Sequence, residues 1–168
     1  MTGDLPGGTQ TPGIELHQIL YPTDFSDLSL YALRYACDFA RSHGAALHCL
    51  HVVDEAYQYL ATMGPDSITI GPPPDDLVEA AWSQMSDFVT RHLSGMPFPV
   101  KSAVMIGRPF MEIIRYAREQ KIDMIVIATH GRTGLKHVLL GSVAEKVVRK
   151  APCPVLTIRH PGQAFVMP

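Results

Sequence analysis

The sequence predicts an α/β protein, a single domain with a five-stranded parallel sheet covered by about four helices. Three observations carry that expectation. Apolar strand-like runs alternate with segments of helical period along the chain, the order that builds β-α-β units. The runs are continuously apolar, as strands covered on both faces require, and Met124-Ile125-Val126-Ile127-Ala128 is the clearest of them. Glycines and prolines punctuate the boundaries between the two kinds of segment. At 168 residues the chain fits one domain and can bury a core without disulfides or metal.

Element by element, residues 1–15 hold Gly, Pro, Thr and acid and read as a disordered leader. Leu16 to Tyr21 is a first strand, closed by Pro22. From Asp27 to His43, Leu33, Ala36, Cys37 and Ala40 recur at i, i+3, i+4, i+7, one face of a helix, and Gly44 follows as a terminating C′ glycine. Ala45 to Val53 is the second strand. Asp54 to Pro74 carries Gly64-Pro65, Gly71 and three consecutive prolines, and reads as a long mobile loop. Asp75 to Leu93 places Leu77, Ala81, Met85 and Phe88 on one helical stripe, and Val100 to Ile106 is the third strand. Pro109 suits the first helical position of the next helix, whose apolar face is Phe110, Ile113, Ile114 and Ala117. Asp123 to Ala128 is the fourth strand. Ser142 to Lys150 is the fourth helix, with Ala144, Val147, Val148 and Ala151 inward. Pro154 to Ile158 is a short last strand, and residues 161–168 form a tail.

Composition narrows the function classes. The formal charge is −2 and the 14 Lys and Arg are scattered, which gives no pull toward nucleic acid or an anionic membrane. Cys37, Cys49 and Cys153 form no CxxC pair, as in the reduced thiols of a cytoplasmic protein. Residues 1–13 lack the basic and apolar regions of a signal peptide, and no apolar run is long enough to span a membrane. The histidines offer no metal site, because His48 and His51 point to opposite faces of a strand and neither HExxH nor a Cys/His ligand spacing occurs. GxSxG, GxxxxGK[ST] and GxGxxG are also missing. No catalytic residue is therefore indicated.

One constellation does carry chemistry. The run to Ala128 leads into Thr129-His130-Gly131-Arg132-Thr133-Gly134, and Leu140-Gly141-Ser142-Val143 steps into the fourth helix. A helix start leaves about four N–H donors unpaired and carries partial positive charge, so a phosphate suits it. Ligands of doubly wound sheets sit beyond the strands' carboxyl ends, where the winding reverses. If strands one and four are neighbours there, the loop Pro22-Thr23-Asp24-Phe25-Ser26 faces the His130–Gly141 loop, and Asp24 suits ribose hydroxyls. Plainer readings stand beside these. Ser142 and Glu145 form a capping-box pattern. Gly131, Gly134 and Gly141 suit positive-φ turns. Asp24 could cap the first helix, with Asp27 in its first turn.

At these residues the chain resembles the universal stress protein family, whose nucleotide-binding pattern is Gly-x2-Gly-x9-Gly-[Ser/Thr]. Ala128, Gly131, Gly141 and Ser142 occupy the pattern's positions, with Ala128 replacing the first glycine and adding a methyl group. Ile19 to Ser26, His51-Val52-Val53-Asp54 and Ala151 to Val155 are similar to further family segments, so the likeness covers about residues 16–160. It implies a Rossmann-like, adenine nucleotide α hydrolase-like sandwich. It also implies an ATP site, with Mg²⁺ on the phosphates. Pro22, Thr23 and Asp24 would border the adenosine and Val52 would pack on adenine. Ile127, Ala128, His130, Gly131, Gly141, Ser142 and Val143 would surround ribose and phosphates. The resemblance further implies a homodimer formed through the last strand and acting in a stress response. A non-binding structural dimer, or a slow ATP hydrolase using His130 or Arg132, are the alternatives.

Overall fold

The computed structural model describes residues 13–55, 74–130 and 140–161. Its elements are β1 (Gln18–Pro22), α1 (Asp27–His43), β2 (Ala46–Asp54), α2 (Pro74–Leu93), β3 (Val100–Gly107), α3 (Pro109–Glu119), β4 (Met124–Ala128), α4 (Ser142–Lys150) and β5 (Val155–Ile158). All strand pairings are parallel and the sheet order is β3-β2-β1-β4-β5. The chain winds outward from β1 to β3, then crosses to the other side of β1 for β4 and β5. The expected reversal between the first and fourth strands is present, with Ile19 beside Met124 and Leu20 beside Ile125.

The apolar runs look continuous because alternate residues serve two cores. Ile19, Tyr21, Leu47, Cys49, Val126 and Ala128 pack beneath α1 and α2, against Ala32, Ala36 and Ala40 and against Met85 and Phe88. Leu20, Leu50, Ile125 and Ile127 pack beneath α3 and α4, against Ile113, Tyr116 and Ala117 and against Ala144 and Val147. Each fully buried Leu or Ile contributes about 1.5–3 kcal/mol relative to exposure, so both layers stabilise the sheet.

The helix ends follow their sequence signals. Gly44 adopts φ 63° and closes α1 with its N–H on the Ala40 carbonyl, a conformation that favours glycine. Pro109 sits in the first turn of α3 after Arg108. Two expectations need correction. The first strand begins at Gln18 rather than Leu16, because the Asp123 carboxylate takes the N–H groups of His17 and Gln18 at 2.7 and 2.8 Å and ladder pairing starts only at Gln18–Ala46. Val148, expected inward, is 46% exposed. α4 packs against α3 and β5, so its buried stripe is only the i, i+3 pair Ala144 and Val147. The long loop read between Asp54 and Pro74 falls almost wholly outside the described residues, as do most of the leader and tail.

A polar cluster lies near the amino ends of the strands. His48 is fully buried, with Nδ1 3.0 Å from the Tyr116 hydroxyl and Nε2 2.6 Å from Gln18 Oε1. Lys101 also donates to Gln18 Oε1, at 3.3 Å. The amide oxygen only accepts, so Nε2 carries the proton and Nδ1 accepts from Tyr116. Burial, and then the Lys101 charge, push the imidazole pKa down to about 4. Among the described residues, no helix is long and apolar enough to cross a membrane.

Candidate functional site

A cavity of about 550 Å³ opens beyond the carboxyl ends of β1, β2 and β4, at the start of α4. That volume falls in the range of small-molecule sites. Pro22, Thr23, Asp24, Val52, Ile127, Ala128, His130, Gly141, Ser142 and Val143 all line it. Gly131 lies outside the described residues. The cavity also takes in His51, Asp54, Leu77 and Ile113, which were not read as site residues. Leu77 arrives from α2 by tertiary packing, which leaves no local signal. His51 stands next to Val52 in a segment similar to the family's, but in the sequence its own side chain bears only on metal binding.

The β1–α1 loop is held by a polar hub. Tyr21 donates its hydroxyl to the Ser29 carbonyl at 2.7 Å, and the Thr23 and Ser29 hydroxyls lie 3.0 Å apart. The Phe25 N–H donates to Thr23 Oγ1 at 3.0 Å. Burial drives the Tyr21 phenol well above its ordinary range, so it stays a neutral donor. Asp24 is not the cap of α1, as one reading held; Ser26 is, its Oγ accepting from the Ser29 N–H at 3.2 Å. Asp24 holds that cap instead. Its Oδ1 accepts from the Ser26 N–H at 3.1 Å and from the Ser26 hydroxyl at 2.6 Å. Between them Phe25 takes φ 61°, a left-handed conformation that costs a non-glycine residue about 1–3 kcal/mol. Its ring is 4.5 Å from His51 and 5.5 Å from Phe88, centroid to centroid. His51 in turn donates Nδ1–H to the Thr23 carbonyl at 2.8 Å.

On the opposite wall, Thr129 and His130 are buried at the end of β4, with His130 Nδ1 3.1 Å from Thr129 Oγ1. The capping-box reading of Ser142 is corrected here. Gly141 is the N-cap of α4, without a side-chain hydrogen bond, and Ser142 is already helical. Glu145 pairs with Arg149 at 3.0 Å instead of reaching back. Gly141 does not need positive φ either, since it sits at φ −61°. What requires glycine is close approach: a Cβ there would lie 3.0 Å from the Thr129 carbonyl oxygen. A helix N-terminus whose N-cap, Gly141, has no side chain to cap it therefore lies at the cavity, where its donors and dipole favour an anion.

Ala128 packs in the core cluster beneath α1 with Val126 and Ile158, so its extra methyl is absorbed by the core. Val52, Leu50, Ile113, Ile127 and Ala144 supply an apolar wall on the other face. An acidic rim at Asp24, an anion-seeking helix start and an apolar wall suit a ligand with hydroxyls, phosphate and a flat apolar ring. Among the described residues no group of three or more His, Cys, Asp or Glu could hold a metal ion.

A doubly wound parallel sheet with such a cavity at its reversal point defines a Rossmann-like α/β protein, the architecture in which ligands bind at that point. The profile of the universal stress protein family matches residues 15–159, and the chain belongs to that family. It is 32% identical over 156 residues to universal stress protein MJ0577 of Methanocaldococcus jannaschii, covering 85% of this chain and 94% of that one. It is 30% identical to universal stress protein YxiE of Bacillus subtilis over 148 residues, covering 85% of this chain and 99% of the relative. The solved structure of MJ0577 matches with a TM-score of 0.75, covering 89% of this chain and 99% of that chain. Universal stress protein UspA of Lactobacillus plantarum, 29% identical, matches with a TM-score of 0.72 over 88% of this chain and all (100%) of its own.

Proposed function

We propose that the cavity binds an adenine nucleotide, ATP with Mg²⁺ on its phosphates, and that the protein works as a nucleotide-dependent stress-response module. One observation carries the reading: Asp24 and the α4 N-terminus, whose N-cap is the side-chain-free Gly141, border the same 550 Å³ cavity, with an apolar wall beside them. In this reading Pro22, Thr23 and Asp24 border the adenosine and Val52 packs on adenine. His130, Gly131, Gly141, Ser142 and Val143 surround the phosphates. Proteins of the same fold have been solved with cAMP and with dAMP, at 20% and 23% identity to this chain. Those two support the fold alone.

Isothermal titration with Mg-ATP tests the proposal. Binding heat and a rise in Tm that grows with ligand are expected, since a ligand that binds only the native state stabilises by RT ln(1 + [L]/Kd). No heat and no thermal shift near millimolar ligand would sink it.

The same proposal includes a homodimer. Among the described residues β5 pairs only with β4 and is a short edge strand, and an exposed edge is a template for another chain. Light scattering at micromolar concentration should give twice the 18.5 kDa chain mass; a monomer mass would contradict it. Free Cys37, Cys49 and Cys153 support a reducing, cytoplasmic setting.

A further inference from the structure

We infer that Phe25 is a positioning residue for Asp24: its ring, wedged between His51 and Phe88, holds the loop in the one backbone state that fixes the carboxylate at the cavity rim. The inference rests on the nucleotide reading of that cavity and adds to it a residue that does not line the cavity itself.

Five observations converge. Phe25 is at φ 61°, where a bulky L-residue persists only if its surroundings impose it. The imposing contacts are visible: the His51 ring at 4.5 Å on one side and the Phe88 ring of α2 at 5.5 Å on the other. The backbone is pinned as well, because the Phe25 N–H is held by Thr23 Oγ1 at 3.0 Å. The next residue, Ser26, then aims both its N–H and its hydroxyl at Asp24 Oδ1, at 3.1 and 2.6 Å. A left-handed residue between Asp24 and Ser26 turns the chain back on itself, and this brings the two donors onto the carboxylate. His51 is locked to the same loop through the Thr23 carbonyl at 2.8 Å. The wedge thus joins two strand ends and α2 to a single carboxylate.

Phe25→Asn separates the ring from the backbone, because Asn tolerates the left-handed region without supplying the wedge. Phe25→Tyr keeps the ring and serves as the rescue. Mg-ATP titration should show roughly tenfold weaker binding for Phe25→Asn, the order expected when one hydrogen bond to a charged group is lost. Phe25→Tyr should restore the wild-type value. In an Asp24→Ala background, Phe25→Asn should cost almost nothing further, since its effect runs through the carboxylate. Amide hydrogen exchange at Ser26 in the unliganded protein gives a readout independent of nucleotide. Protection should fall in Phe25→Asn and return in Phe25→Tyr.

Unchanged Ser26 protection in Phe25→Asn overturns the inference, and so does an equal affinity loss with and without Asp24. A wild-type protein that binds no Mg-ATP, while Phe25→Asn still frees the Ser26 amide, overturns the nucleotide reading and leaves the hold of Phe25 on Asp24 standing.

Discussion

The N–H of Gly141 donates to the Thr129 carbonyl at 2.6 Å, and a Cβ on Gly141 would lie 3.0 Å from that same oxygen. One backbone contact thus joins the end of β4 to the start of α4 and leaves no room for a side chain. Gly141→Ala should destabilise the protein by about 1–3 kcal/mol through overpacking. It should also weaken Mg-ATP binding, because the helix start has to shift away from β4. Urea denaturation paired with calorimetric titration reads both. Wild-type stability together with wild-type affinity would contradict the close-approach account.

Ala128 stands where the family pattern has glycine, yet its methyl belongs to the core beneath α1. Ala128→Gly should therefore lower stability by roughly 0.5–1 kcal/mol, the usual cost of glycine inside a strand. Nucleotide affinity should stay within about a factor of three of wild type, because Ala128 borders the cavity but also packs in the core cluster beneath α1. A large gain in affinity would show that the methyl obstructs the ligand.

Acid should unfold this protein partly through His48. Its folded pKa of about 4 lies below the ordinary value of 6.5. Between those values the unfolded chain binds a proton that the folded chain refuses. Stability from this group is therefore complete above pH 6.5 and declines as pH falls toward 4. The full effect is at most about 3 kcal/mol. Denaturant midpoints measured from pH 7 to pH 4 should fall, and His48→Gln should flatten that slope. An unaltered slope in the variant would assign the acid sensitivity elsewhere.

The thiols should be slow to react. Burial pushes Cys37 up to about 11 and Cys49 up to about 12, and raises Cys153 as well. Thiolate is the reacting form. At neutral pH, a disulfide reagent should label the half-buried Cys153 first, and the other two only as the protein unfolds. Rapid labelling of Cys49 in the native state would mean that β2 opens readily.

The sheet was legible in the sequence because its central strands β1 and β4 are continuously apolar and helical stripes alternate with the strands, and that order restricts the winding. The place of the Asp24 loop at the cavity follows from that winding, whereas Val52 and Ile127 follow from the family resemblance and line the same cavity. The cap of α4 was misread for a physical reason. Ser142 and Glu145 satisfy the capping spacing, but the close pass of the chain over Thr129 places the cap one residue earlier, at Gly141. The role of Ser26 was masked by Asp24 in the same way, since either side chain can cap a helix and only the hydrogen bonds distinguish them. Leu77, His51 and the Phe25 wedge depend on contacts between distant segments, which no local pattern encodes.

Tyr21 sits in two structures at once. Its ring stacks 6.3 Å from Phe88 in the core, and its hydroxyl anchors the Ser29 carbonyl beneath the cavity rim. Filling of the interior and the set of the cavity rim therefore rest on one side chain, and a substitution that suits the ring's place in the core still has to supply the hydroxyl.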